Sequence, residues 1–161
     1  MIRFANRKPS VVSSNSPRLS RIILPVLFVT FIGSFGVSIA ATADVIIDRK
    51  AGFKANATSM KAIAAAIGGG DYATVINQAE SISSWAQRIP SYFPEGSGSG
   101  DTKARTEIWV SFKDFTALSM ANKTAADGLV IAAKSGDPGA MMAGLKNLGG
   151  SCKACHKSYK D

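Results

Sequence analysis

The chain predicts an all-α protein, an antiparallel up-down four-helix bundle, and three observations carry that expectation. About 118 residues after the N-terminal stretch divide into four segments whose apolar residues recur at helical spacing. Short breaks rich in glycine and proline separate most of them, which favours antiparallel neighbours. The last segment repeats its inward positions in steps of 4, 3, 4, 3 and 4. This length supports one domain with one core and is too short for two.

The first segment runs from about Asp44 to Ile67 and stops at Gly68-Gly69-Gly70. Its apolar stripe is Ile46, Phe53, Ala57, Met60, Ala64 and Ile67. Asp71 is a plausible N-cap for the second, which carries Tyr72, Val75, Ile76, Ala79, Ile82, Ala86 and Ile89 before Pro90. Ser91 to Gly100 reads as a loop, with Pro94 and a Gly-Ser run. Asp101 or Thr102 is expected to open the third segment, with Ile108, Phe112, Phe115, Leu118, Asn122, Leu129 and Ala132 inward and an end at Ser135-Gly136. Asp137 caps the fourth, with Pro138 in its first turn. Its stripe is Met141, Leu145, Leu148, Cys152, Cys155 and Tyr159.

The first 43 residues are a different kind of sequence. Arg3, Arg7, Lys8, Arg18 and Arg21 form a basic stretch with no acidic residue. An apolar run follows from Ile22 and ends in small residues, where a cut after Ala40 or Ala43 suits signal peptidase. Residues 1–43 therefore read as a cleaved signal peptide and 44–161 as the mature domain. Left uncut, Ile22 to Ala43 is just long enough to anchor the chain in a membrane. The formal charge of +8 belongs largely to this segment, because 44–161 holds 14 Lys and Arg against 11 Asp and Glu, a net of +3. The basic balance is poor evidence for nucleic-acid binding.

The chemistry-bearing residues sit at the other end. Ser151-Cys152-Lys153-Ala154-Cys155-His156-Lys157-Ser158-Tyr159-Lys160 contains both cysteines and the one histidine of the chain. Covalent haem attachment requires C-x-x-C-H: two thiols that add to two vinyl groups, and an adjacent imidazole for the iron. Other readings stay open. A thioredoxin-like redox pair wants a βαβ context, and nothing strand-like surrounds the motif. Zinc normally takes four protein ligands in a structural site and three in a catalytic one, and this cluster supplies three. A disulfide between Cys152 and Cys155 would close a very short loop and stabilise little. Both cysteines continue the inward stripe, so a haem bonded there lies between helices. Export agrees with it, since covalent haem attachment in bacteria is periplasmic.

The ending Cys152-Lys153-Ala154-Cys155-His156-Lys157-Ser158-Tyr159-Lys160 fits a C-x-x-C-H-x-x-[YF]-[RK] pattern. With Phe93-Pro94-Glu95-Gly96-Ser97-Gly98, then Glu107-Ile108-Trp109, and Arg49 followed by Lys54-Ala55-Asn56, it resembles the class II c-type cytochromes, the cytochrome c′ family. Cytochrome c′ is itself a standard example of the four-helix bundle. The likeness covers essentially the whole mature region. It implies one covalent haem c per chain, bonded to Cys152 and Cys155, with His156 as proximal axial ligand. It also implies that Arg49 meets a haem propionate and that Lys160 lies beside the proximal face. Low-spin, electron-carrying members place methionine four residues after the first-helix arginine, and here that residue is Phe53. Phenylalanine has no atom that binds iron, so the resemblance implies a five-coordinate, high-spin haem with Phe53 as distal lid. Each has a plainer reading: Phe53 as core, Arg49 as a solvated charge, Lys160 as a frayed end. Met60 lies two turns beyond Phe53, roughly 10 Å along the axis, and reads as core rather than ligand.

Two functions follow from these expectations. One is binding of NO, and more weakly CO, under Phe53. The other is periplasmic electron transfer, in which Lys153, Lys157 and Lys160 steer an acidic redox partner. Should a methionine ligate the iron after all, the protein is a six-coordinate low-spin carrier. Peroxidase chemistry wants a distal acid-base group, and the chain has no second histidine. The resemblance also implies that two copies can pair as a homodimer.

Overall fold

A computed structural model describes the backbone of residues 39–161 and the side chains from Asp44 onward. Apart from the helical backbone of Ile39–Ala43, the expected leader lies outside the described residues. The elements are α1 (Ile39–Gly69), α2 (Tyr72–Arg88), a 3-10 turn at Ile89–Tyr92, α3 (Glu107–Val110), α4 (Phe112–Ser135) and α5 (Pro138–Tyr159). Among the described residues there is no helix long and apolar enough to cross a membrane.

The ends of the long helices follow local chemistry. Asp71 caps α2 by accepting from the Thr74 amide at 3.1 Å. Asp137 caps α5 through the Gly139 amide at 2.8 Å, with Pro138 in the first turn. Gly136 ends α4 in the left-handed region at φ 72°, which glycine adopts without steric cost.

The bundle has two differently built ends. At one, aliphatic residues meet: Ile63 and Ile67 of α1, Val75 and Ala79 of α2, Leu129 and Ala133 of α4, Met141 and Leu148 of α5. The C-terminal halves of α1 and α4 thus lie beside the N-terminal halves of α2 and α5, as antiparallel neighbours must. At the other end the core is aromatic, with Trp85, Phe93, Phe115 and Tyr159. Phe115 is stacked edge-on to Tyr159 at 5.3 Å and to Phe93 at 4.9 Å.

Two expectations need correction. The third segment is not one helix from Asp101. Thr102 to Arg105 lies outside any helix instead, because the chain pairs with the C-terminal tail: the Arg105 amide donates to the Tyr159 carbonyl at 3.1 Å and the Asp161 amide to the Lys103 carbonyl at 3.0 Å. The Thr102 hydroxyl takes the Ala104 amide at 3.1 Å, a local bond that competes with helix formation. Helix then forms in two pieces, α3 and α4, broken at Ser111. The break shifts the phase, so Phe112 is not inward but 39 % exposed. On α1 the expected stripe also drifts: Ala57 and Ala64 are not in the core, whereas Ser59, Ile63 and Ala66 are buried.

Candidate functional site

A cavity of about 800 Å³ opens at the aromatic end, between α1, α4, α5 and the Thr102–Ile108 segment. From α1 it is lined by Arg49, Phe53, Ala57 and Met60, and from α5 by Cys152, Cys155 and His156. Lys160 lines it just past the end of α5. Every residue singled out from the sequence for the site therefore faces one space. Among the described residues no group of three or more His, Cys, Asp and Glu side chains is placed to hold a bare metal ion.

Arg49 is only 2 % exposed and has no carboxylate partner among the described residues. One Nη donates to the Ser97 hydroxyl at 3.0 Å and to the Tyr92 carbonyl at 3.4 Å. The other donates to the Ser97 carbonyl at 2.8 Å and to the Thr102 hydroxyl at 2.6 Å. Its plane lies over the Phe93 ring, 4.5 Å from the centroid. Burial pulls its pKa down from the usual arginine value. Arg49 is thus neither a solvated surface charge nor free to turn. It fixes the loop and keeps an unneutralised cation at the cavity wall.

Phe53 is half-buried and braced from behind. Trp85 meets it edge-on at 5.7 Å and Phe93 lies at 6.4 Å. Trp85 itself is seated on Gly52, where an added Cβ would fall 2.2 Å from the indole. Only glycine lets α2 approach α1 so closely here. The indole Nε1 is buried with no hydrogen-bond partner among the described residues. The α1 wall is less apolar than the sequence suggests, since Asn56 and Lys54 also line it.

On α5 the thiols and imidazole occupy successive positions of one face. Burial raises the Cys155 thiol to about 11, with a smaller push from neighbouring Cys152. Cys152 is raised as well, chiefly by burial, against the opposing effect of a bond from Asn122. Helical spacing puts Asn122 on the inward face, but nothing local in the sequence shows that bond. Its amide donates to Cys152 Sγ at 3.3 Å and to Ser151 Oγ at 2.8 Å. His156 is lowered, first by burial and then by the charge of Lys160, which favours the neutral imidazole that can ligate. Glycine at 149 leaves the adjoining wall open, and Met60 Cε would lie 3.8 Å from a Cβ placed there.

The donor set fits a covalent haem. Two free thiols and an imidazole border a cavity whose other walls are mainly apolar, and a buried cation stands where a carboxylate would be welcome. A metal ion alone is a poorer fit, because three ligands would lie on the edge of a space far larger than an ion needs.

Known proteins resemble the chain in sequence and fold. The cytochrome c′ family model matches residues 44–160. Cytochrome c′ of Rhodospirillum rubrum is 42% identical over 85 residues, covering 52% of this chain and 58% of that protein, less than two thirds of its length. Cytochrome c′ of Pararhodospirillum photometricum is 34% identical over 116 residues, covering 70% of this chain and 93% of that one. The solved structure of cytochrome c prime from Shewanella frigidimarina superposes with a TM-score of 0.68 at 32% identity, over 74% of this chain and 96% of that chain. With the matched region spanning the whole bundle and the thiol-imidazole motif on its inner face, the chain belongs to the cytochrome c′ family, whose cofactor is covalently bound haem c.

Proposed function

We propose that this protein is a periplasmic cytochrome that binds NO, and CO more weakly, at a distal position screened by Phe53. The single observation that carries the proposal is the placement of Phe53. It lines the cavity one helical turn beyond Arg49, and the ring is held by Trp85 and Phe93 rather than free to swing. In the family's low-spin members a methionine occupies this position.

Each residue then has a defined task. Cys152 and Cys155 would bond the haem, Asn122 would orient the Cys152 sulfur, and the His156 imidazole would ligate the iron. Arg49 offers its charge to a propionate while its bonds to Ser97 and Thr102 keep the loop in place. Lys160 adds positive charge beside His156. When bound, the haem would supply an iron able to take a diatomic ligand and two oxidation states for electron exchange.

A second reading has one observation in its favour: Met60 lines the same cavity. As sixth ligand it would make the protein a low-spin electron carrier. Titration of the ferrous protein with NO and CO separates the two. The proposal expects both gases to shift the Soret band, and Phe53→Met to abolish the CO response by occupying the sixth position. A wild-type spectrum that ignores CO would favour Met60.

A further inference from the structure

Three aromatic rings run outward from the cavity in single file. Phe53 lines the cavity, Trp85 meets it edge-on at 5.7 Å, and Tyr92 lies 4.7 Å beyond Trp85, tilted by 41°. Trp85 and Tyr92 do not line the cavity themselves, so one ring stands between that space and the indole. Trp85 is buried and Tyr92 is partly exposed, so the file leads from the interior to the surface. Tryptophan and tyrosine are among the side chains that give up an electron most readily. We propose that Trp85 and Tyr92 form a relay that carries an oxidising equivalent out of the haem cavity when a hydroperoxide reaches the iron. The relay rests on the open distal position proposed above, because a hydroperoxide needs it.

The electrons and atoms balance with hydrogen peroxide as oxidant. Breaking its O–O bond to give two water molecules takes two electrons and two protons. One electron comes from ferrous iron, which becomes ferric. The other comes from Trp85, which recovers it from Tyr92. Tyr92 gives up its phenol proton with that electron, and solvent supplies the second proton. The product on the protein is a phenoxyl radical at Tyr92.

The surroundings give the two residues different parts. The Trp85 indole N–H is buried and has no acceptor among the described residues. An oxidised indole therefore has no partner to take its proton there, and it remains a strong oxidant of Tyr92. The Arg88 guanidinium, 5.9 Å from the indole ring, further disfavours a lasting positive charge on it. Tyr92 is partly exposed, so its phenol proton can pass to water. The oxidising equivalent thus passes through Trp85 and comes to rest on Tyr92. Two residues compete with this route. Tyr159 lines the cavity, but it is buried and its proton leaves less readily. Met60 lines it too, and its thioether would take one peroxide oxygen to give the sulfoxide and one water.

The test treats the ferrous holoprotein with one equivalent of hydrogen peroxide in the absence of air. Freeze-quench electron paramagnetic resonance records the radical, and peptide mass spectrometry after spin trapping locates it. Besides Tyr92 and Tyr159 the chain has one other tyrosine, Tyr72, which packs at the aliphatic end and reports indiscriminate oxidation. The expected result is label on Tyr92 severalfold above that on Tyr72 or Tyr159. Tyr92→Phe keeps the ring and should lose the label while Met60 sulfoxide rises. Trp85→Phe should lose it as well, although Tyr92 is retained. Equal labelling of the three tyrosines would overturn the proposal, as would label on Tyr92 that survives Trp85→Phe. The optical spectrum before peroxide is read separately. Low-spin iron overturns the open distal position and the relay with it, whereas high-spin iron with label confined to Tyr159 overturns the relay alone.

Discussion

The Arg49 guanidinium donates to both oxygens of Ser97, to the carbonyl at 2.8 Å and to the hydroxyl at 3.0 Å, and so ties α1 to a loop 48 residues later in the chain. The Ser97 hydroxyl in turn donates to the Pro94 carbonyl at 2.8 Å. The forked, planar donor is what makes this geometry available, and lysine cannot reproduce it. Arg49→Lys and Arg49→Met should both loosen the Pro94–Thr102 loop. Leaving Ser97 and Thr102 without their donor costs about 1–3 kcal/mol, read as a lower urea midpoint. Faster amide exchange in the loop, with α2 and α4 unchanged, would assign the loss to this contact.

On the proposed reading Phe53 sets the iron environment, so Phe53→Met should turn the protein into a low-spin carrier. Sharp α and β bands would appear in the ferrous spectrum, and CO would no longer shift the Soret. Phe53→Leu keeps an apolar lid without a ligating atom, and its iron should stay high-spin.

Gly52 holds no functional group, yet its substitution should reach the site. Alanine there overlaps the Trp85 indole at 2.2 Å, and Trp85 backs Phe53. Overpacking of this kind costs about 1–3 kcal/mol, against about 1 kcal/mol regained in helix propensity. A net loss of up to about 2 kcal/mol is expected, with a changed rate of CO binding because the lid has moved.

Before haem attachment, stability should fall towards both alkaline and acid pH. The folded thiols have raised pKa values, Cys155 to about 11 from an ordinary 9.0. Their contribution is complete below pH 9.0 and is lost as pH rises towards about 11, because the unfolded chain releases its protons first. His156 is lowered from 6.5, so its contribution is present above that value and is lost as pH falls through the folded one. Thioether sulfurs do not titrate. The thiols' share of the alkaline loss should therefore vanish in the holoprotein, leaving the smaller one from the raised Tyr159, and urea midpoints of the two forms across this range test it.

The parts of this molecule set by local chemistry are legible in the amino-acid sequence alone. Cys152, Cys155 and His156 stand at a spacing that one reaction demands, and the stripe from Met141 to Tyr159 puts them on an inward face. Capping by Asp71 and Asp137 is equally plain, because a cap is a contact between near neighbours in sequence. What stays hidden depends on distant partners. Lys103 to Arg105 stays out of the helix because it pairs with Tyr159 and Asp161, more than fifty residues away. The family pattern points Arg49 at a propionate, whereas its second task at Ser97 lies in a loop whose path the sequence does not encode locally. The seat of Trp85 on Gly52 and the bond from Asn122 to Cys152 belong to the same class. Nor does the overall charge show that lysines from α1, the Thr102–Ile108 segment and the end of α5 converge on one opening.

The most direct test of Phe53 as a lid over open iron is the optical spectrum of the ferrous holoprotein, taken before and after NO. A broad high-spin Soret band that shifts on adding NO is the predicted result. Sharp α and β bands before any gas is added would mean that a side chain, Met60 first among those lining the cavity, already holds the sixth position, and would contradict it.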